Sequence, residues 1–464
     1  MKNNNNSVRT DLFETVPVKK AVMTLALPTV IGSLVMVLYS LADTLFVGML
    51  NDTTQTAAVT LAAPVLLAFN AINNLFGVGS SSMMSRALGA KDMDTVKKSS
   101  AFGFWCAIGG GLLISLLCLL FFDPLLHLLG AGEADGSLVP TRNYMIWTVI
   151  CGAIPSILNV VMGNLVRAEG NALHGSIGTM CGCLLNVILD PFFILPQYLN
   201  MGAAGAGLAT CISNTVACLY FFGFLLVKRK STSVCIDPHE FTLDRKIVGG
   251  VCGVGVPAAI QNLLNVTGMT VLNNFASAFG TATTSAIGIA HKVTMVPMYI
   301  AMGTSQGVMP LVSYNWSARN SSRMKESILF TAKLTVLFLI PAALLLCVFG
   351  KSIIGMFMAD PAVCEIGAIY MIGMSLAQPF LGIDFLGVGI YQACGMGKTS
   401  LLFAILRKIV LEIPALFLLR ALFGREGIGF AQLVAEVILS VAAIICIAKV
   451  INLAEENEKA EQTS

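Results

Sequence analysis

The sequence predicts an all-α membrane protein of twelve transmembrane helices, built as two six-helix lobes related by pseudo-two-fold symmetry. Three observations lead there: the composition, the number of apolar stretches, and a duplication at half the chain length. Of 464 residues, 56% are hydrophobic and only 11% are charged, and the mean hydropathy is +0.82. Soluble domains carry roughly 25% charged residues, so most of this chain is suited to lipid rather than water.

Twelve apolar stretches fall at about 21–48, 56–84, 99–122, 138–165, 172–196, 204–227, 247–276, 284–312, 327–349, 363–393, 399–421 and 428–452. Each meets the requirement of roughly 20 residues for a helix crossing the hydrocarbon core. The first 20 residues are polar and precede a span too long for a signal-peptide core, so no cleavable signal peptide is expected. The expected organisation is a cytoplasmic segment 1–20, an N-lobe 21–227, a linker 228–246, a C-lobe 247–452 and a cytoplasmic tail 453–464. The linker (KRKSTSVCIDPHEFTLDRK) reads as a solvated tether.

The duplication is legible residue by residue. Pro28 pairs with Pro257, Gly79 with Gly307, Lys91 with Arg319, Lys97 with Lys325 and Ser99 with Ser327, at a spacing of 228 or 229 residues. Farther on, VRAEGNALHGS resembles YQACGMGKTS, and LDPFFIL resembles EIPALFLL. Two parallel copies of six spans in an apolar chain are the sequence mark of a secondary transporter, with its cavity between the lobes. The segments after spans 2 and 8, ALGAKDMDTVKKS and NWSARNSSRMKES, read as equivalent short amphipathic interfacial pieces.

Net charge is +3, and its placement orients the chain. The side holding both termini and the loops after even-numbered spans carries 20 of the 28 Lys and Arg; the other side carries Arg142, Lys351, Arg420 and Arg425. The positive-inside rule therefore puts both termini in the cytoplasm. No soluble basic face exists for nucleic acid. The 13 cysteines are odd in number, mostly inside spans and without a CxxC pair, so they read as packing residues. GMGKTS at 395–400 ends like a P-loop, but Gln392 stands where that motif needs glycine, so no ATP site is expected. No enzyme motif occurs. The 22 methionines suit a pliable cavity, although most read as ordinary packing.

The candidate chemistry lies in intramembrane carboxylates. Asp43 sits inside the first span, in YSLADTLFVG, fifteen residues after the helix-loosening Pro28. An ionised carboxylate there costs about 2.5–3.5 kcal/mol on insertion scales, so it must face water, meet a cation or be protonated, unless it snorkels outward. Asn186 and Asp190 in span 5 share a helical face at i, i+4, and span 6 supplies Ala206 and Thr210 at the same spacing. These oxygens suit a hard monovalent cation, or two close carboxylates sharing one proton. A buried patch fixing helix register is the blander reading. The second copy lacks this constellation, with Leu272 near the position of Asp43. It carries His291, Lys292, Asp384, Glu412 and Glu436 instead, and Asp384 is the expected partner of Lys292. Arg407, Lys408 and Glu412 are expected near the cytoplasmic end, where they can snorkel.

In this order, Pro28 with YSLADTLFVG, SRALGAKD, RAEGN, LNVILDPFFI and GAAGAGLAT resemble the multidrug and toxic compound extrusion (MATE) transporters, and within them the DinF-like branch. The resemblance covers about residues 13 to 450. It implies two six-helix lobes forming a V, and antiport of organic cations against Na⁺ or H⁺ with no cofactor. Carried over by position, Asp43, Asn186, Asp190 and Thr210 match the family's first-lobe cation site, and would be the metal ligands if the ion is Na⁺. Ala206 matches a residue that contributes there through its backbone, and Pro28, Tyr39 and Ser213 match positions lining or bending the cavity. Second-lobe carboxylates of some relatives are not matched: Asp384 is displaced in register.

The combined expectation is a monomeric multidrug exporter in the cell membrane, working by rocking alternating access. Drug and ion would exclude one another at Asp43 and Asp190, which suffices for antiport. A lipid-linked oligosaccharide flippase is the rival, since it shares the two-lobe plan; it would favour a basic cavity, and Lys292 is the residue that speaks for it.

Overall fold

A computed structural model of the chain describes residues 7–50, 52–133, 136–358 and 360–463. The first six residues of the expected N-terminal segment and the last residue of the tail lie outside these. Helix α1 (Ser7–Glu14) precedes the long α2 (Val18–Gly48). The second span joins α3 (Thr53–Ile72), a π-helical turn (Asn73–Val78) and α4 (Gly79–Gly89), and is followed by α5 (Met93–Leu120) and the short α6 (Phe122–Leu128). The fourth span joins α7 (Leu138–Met145), a π-helical turn (Ile146–Cys151) and α8 (Ala153–Ala168), with a bend of 49°. Then come α9 (Ala172–Ile194) and α10 (Ala203–Val227). The second half runs through α11 (Arg245–Ser277), α12 (Thr281–Ser317), α13 (Ser321–Phe357) and α14 (Pro361–Ala393). It continues with α15 (Gly397–Ile405), a π-helical turn (Leu406–Glu412), α16 (Ile413–Gly427) and α17 (Ala431–Thr463).

Among the described residues, nine stretches are long and apolar enough to cross a membrane, or ten with the bent pair. Two details account for the difference from twelve. Helix α12 has 37 residues but is interrupted by polar groups such as His291 and Lys292. The stretch Gly397–Ala460 counts once, although its backbone breaks at Gly424 (φ 61°, ψ −137°). Dividing it there and including α12 restores the expected set. Large apolar side chains on the outside of α5 (Leu112, Leu113, Leu116, Leu120) and α13 (Leu337, Phe338, Leu345, Val348) are exposed, as lipid-facing positions must be.

The duplication extends to backbone angles. The segments after spans 2 and 8 are tight helix-to-helix turns, which corrects the expectation of interfacial pieces. Lys91 (φ 59°) and Arg319 (φ 55°) both take the left-handed conformation that L-residues avoid. Their neighbours Ala90 (φ −78°, ψ −2°) and Ala318 (φ −78°, ψ 3°) also agree. Each turn then caps the next helix: Asp92 Oδ1 accepts from the Thr95 amide at 3.1 Å, and Asn320 Oδ1 from the Arg323 amide at 3.0 Å. The Thr95 hydroxyl and amide, with Lys246, hold the Asp92 carboxyl well below its usual range, at about 2. Ser85 Oγ donates to the Ala168 carbonyl at 2.9 Å, and its counterpart Ser313 to Ala393 at 2.8 Å. The turns beyond those carbonyls use Gly170 (φ 91°) and Gly395 (φ 78°), where only glycine is unstrained.

The chain packs as two compact units, one formed by residues 7–10 and 34–259, the other by 11–33 and from 260 onward. The first helix of each half is thus divided, α2 at Ser33 and α11 at Ala259. In the first unit, the start of α11 lies so close to the second span that a Cβ on Gly255 would overlap the Leu75 carbonyl. In the second unit, a Cβ on Gly307 would sit 2.7 Å from Ala26 Cα, and one on Gly303 2.9 Å from Val30 Cα. Small residues at such crossings let helix backbones approach, the usual basis of packing in lipid.

The linker is not a free tether. Glu169, 2% exposed at the end of α8, accepts from Asn171 Nδ2 (2.6 Å), the Thr232 hydroxyl (3.0 Å) and the Ser233 amide (2.6 Å). Ser100 Oγ exchanges hydrogen bonds with both backbone groups of Cys235 at 3.0 Å, and Trp105 Nε1 donates to the Ile236 carbonyl at 3.2 Å. Residues 232–236 are docked because buried polar groups of the first unit need these partners.

Candidate functional site

The first unit gathers oxygen ligands from four elements. Asn186 and Asp190 lie one turn apart on α9 and are 2% and 0% exposed. With its amide turned to satisfy its neighbours, Asn186 donates from Nδ2 to Asp190 Oδ2 at 2.8 Å. Its Oδ1 then accepts from the Thr210 amide at 3.1 Å and lies 3.3 Å from the Thr210 hydroxyl. That hydroxyl also donates to the Ala206 carbonyl at 2.9 Å, so Ala206 enters through its backbone. From α2, Tyr39 lies beside the Thr210 side chain, and Asp43 lies one turn farther along, within electrostatic reach of Tyr39 and Asp190.

A fourth element completes the set. Tyr144, 6% exposed at the end of α7, lies within electrostatic reach of both Asp43 and Asp190. Sequence reasoning missed it. Its one pointer is structural, the π-helical turn that follows at Ile146–Cys151, since such irregularities often mark functional sites.

Ser213 is buried one turn beyond Thr210, with its hydroxyl unpartnered, and its carbonyl lies 3.2 Å from where a Cβ on Gly182 would stand. Pro28 belongs to the stretch of α2 that packs in the second unit. Among the described residues, no three His, Cys, Asp or Glu side chains converge to hold a metal ion. The cluster instead offers two carboxylates, an amide, hydroxyls and a carbonyl. Two carboxylates within electrostatic reach of one another in low dielectric make each other's ionisation costlier, and a shared proton or a small cation is what relieves that cost.

The second unit carries a different arrangement. Asp384 pairs with Arg407 at 3.0 Å, both almost fully buried, and Arg407 also binds the Asn265 side chain. Lys408 pairs with Glu412 at 2.6 Å. Two expectations are corrected here. Lys292 is exposed on α12 and is not the partner of Asp384. Arg407, Lys408 and Glu412 do not snorkel but point inward, because the π-helical turn Leu406–Glu412 rotates them toward the interior of the unit. A guanidinium buried this deeply is stabilised by a carboxylate partner, and Asp384 supplies it.

The MatE family model matches residues 28–192 and 257–418, once in each half, with the two matches opening at Pro28 and Pro257. The chain belongs to the MATE family. MATE proteins are transporters, not enzymes, and the fold is the two-lobe, twelve-helix fold of that family. The chain is similar to the multidrug export protein MepA of Staphylococcus aureus strain N315, at 34% identity over 438 residues, 94% of each chain. MepA of Staphylococcus saprophyticus is 33% identical over 438 residues, again 94% of each. Among solved structures, a multidrug resistance MATE transporter of the MOP superfamily in an outward-facing conformation superposes with a TM-score of 0.90. The identity there is 23%, and 98% of this chain and 100% of that chain are covered.

Proposed function

We propose that this MATE protein exports organic cations from the cell across the cell membrane in exchange for Na⁺ or H⁺, by alternating access. The observation that carries the reading is that the half-buried Asp43 lies within electrostatic reach of the fully buried Asp190. A cationic drug and a coupling ion compete for that negative charge, and mutual exclusion at one site couples their movements. The MepA relatives are named as multidrug export proteins, which supports the substrate class. Both termini face the cytoplasm in this reading, on the argument of Lys and Arg placement. In this reading the two sequence halves, 21–227 and 247–452, are the transporting lobes, although the compact units take the start of α2 and of α11 from the opposite half, and one chain is the transporting unit because it contains both halves.

The test is ethidium transport in proteoliposomes, with a Na⁺ gradient and a pH gradient imposed separately. Movement under one gradient names the coupling ion, and Asp43→Asn should abolish it at equal expression. No movement under either gradient, with correctly inserted protein, overturns the proposal.

A further inference from the structure

The second unit buries an acid for which the cluster at Asp43 has no use. Glu436 on α17 is 1% exposed, and neither of its carboxyl oxygens has a hydrogen-bond partner. Two atoms of the neighbouring ion pair are in the same condition, Asp384 Oδ1 and Arg407 Nε. The charged groups facing Glu436 are Asp384 from α14, with Arg407, Lys408 and Glu412 from the π-helical turn. His291 of α12 faces Lys408 and Glu412.

Counting charges isolates Glu436. Asp384 is neutralised by Arg407 and Glu412 by Lys408, which leaves Glu436 without a basic partner. A buried carboxylate with neither oxygen bonded is far costlier than the neutral acid. One proton changes what the group can do. Protonated, Glu436 becomes a donor, the complement of the unpartnered Asp384 Oδ1, while its other oxygen remains an acceptor, the complement of Arg407 Nε. Burial favours that neutral form and the two nearby cations favour the ionised one, so a small change in packing or water access tips the balance. The π-helical turn carrying Arg407 and Lys408 supplies a backbone irregularity able to make such a change.

We propose that Glu436 is a second proton-binding site, with the Asp384–Arg407 pair as its fixed counter-group, taking up and releasing one proton independently of the ion held at Asp43 and Asp190. The test is infrared spectroscopy of the purified full chain in detergent, titrated between about pH 5 and 9, the range in which buried carboxyls exchange protons. A protonated-carboxyl stretching band should fade as pH rises. Glu436→Gln should remove it, Glu436→Asp should displace it in frequency, and the double variant Asp43→Asn with Asp190→Asn should leave it in place. An identical pH-sensitive band in Glu436→Gln overturns the proposal. So does a Glu436 band that persists across the whole range, which would mean a locked structural proton. Should Glu436→Gln fail to fold, Glu436→Asp decides: a pH-sensitive band that does not move overturns the assignment. The readout needs no transport, so failure of ethidium export and failure of this proposal are separate results.

Discussion

The two halves of this protein share backbone geometry and differ in buried chemistry. The turns at Lys91 and Arg319 match in their angles and caps, and the Ser85 and Ser313 bonds match within 0.1 Å. Yet the first half concentrates acids with neutral oxygens, while the second neutralises Asp384 with Arg407 and Glu412 with Lys408. Backbone devices are what the duplication preserved, because each is needed wherever two helices must turn or cross. Side chains inside a unit are free to diverge provided each buried charge is answered. In the function proposed above, the first half answers with an exchangeable ion, whereas the second answers mostly with fixed cations, and the difference separates function from stability.

Breaking the second-half pair should give the largest effect. Arg407→Met strands Asp384 in a dry site and should cost about 3–5 kcal/mol, read as a fall in thermal unfolding temperature. The double variant Asp384→Leu with Arg407→Met should recover most of that loss. The first half should behave in the opposite way. Asp43→Asn should leave unfolding nearly unchanged while cutting gradient-driven ethidium transport about a hundredfold, equivalent to about 2.7 kcal/mol of lost ion coupling. A large stability loss there would make the cluster a packing feature.

Packing equivalence can be tested at the helix crossings. Gly255→Ala and Gly307→Ala place a Cβ against backbone in their own units, and each should cost about 1–3 kcal/mol in unfolding free energy. The turns give a smaller, stabilising effect. Lys91→Gly and Arg319→Gly each relieve a left-handed conformation costing roughly 1–2 kcal/mol, less the roughly 0.5–1 kcal/mol of glycine entropy. Equal gains of about 1 kcal/mol or less at both turns would confirm their equivalence, and a gain at one alone would break it.

The smallest effect distinguishes the two caps by pH. Asp92 is held at about 2 by Thr95 and Lys246, below the unfolded value of about 3.9. Its contribution is therefore full above that unfolded value and is lost as pH falls through about 2. Asn320 does not titrate. Amide-exchange protection of residues 93–96, corrected for intrinsic rate, should weaken in acid while that of 321–324 does not, and Asp92→Asn should remove the contrast.

Much of this was legible in the chain. The spans followed from apolar runs, the two halves from paired residues such as Gly79 and Gly307, and Asn186 with Asp190 from helical spacing. Tyr144 was not legible, because an aromatic at the end of a span carries no mark of where it points. The fate of Arg407 was hidden for a related reason: a straight α-helix places it differently from the π-helical turn that forms. The linker misled because its composition is polar, and Glu169 binds it through backbone and hydroxyl groups that composition does not register.

The sequence by itself determined the membrane environment, the number of spans, the duplication and the acids of the first half, since these depend on hydropathy and short-range periodicity. Only the tertiary structure decided that the first helix of each half is divided between units, that Arg407 rather than Lys292 answers Asp384, and that Glu436 is left unanswered. Those outcomes depend on which helix faces meet, across tens of residues for Asp384, Arg407 and Glu436 and across hundreds for α2 and α11. No local pattern encodes them, because burial charges a cost to each ionisable group only after the helices have packed.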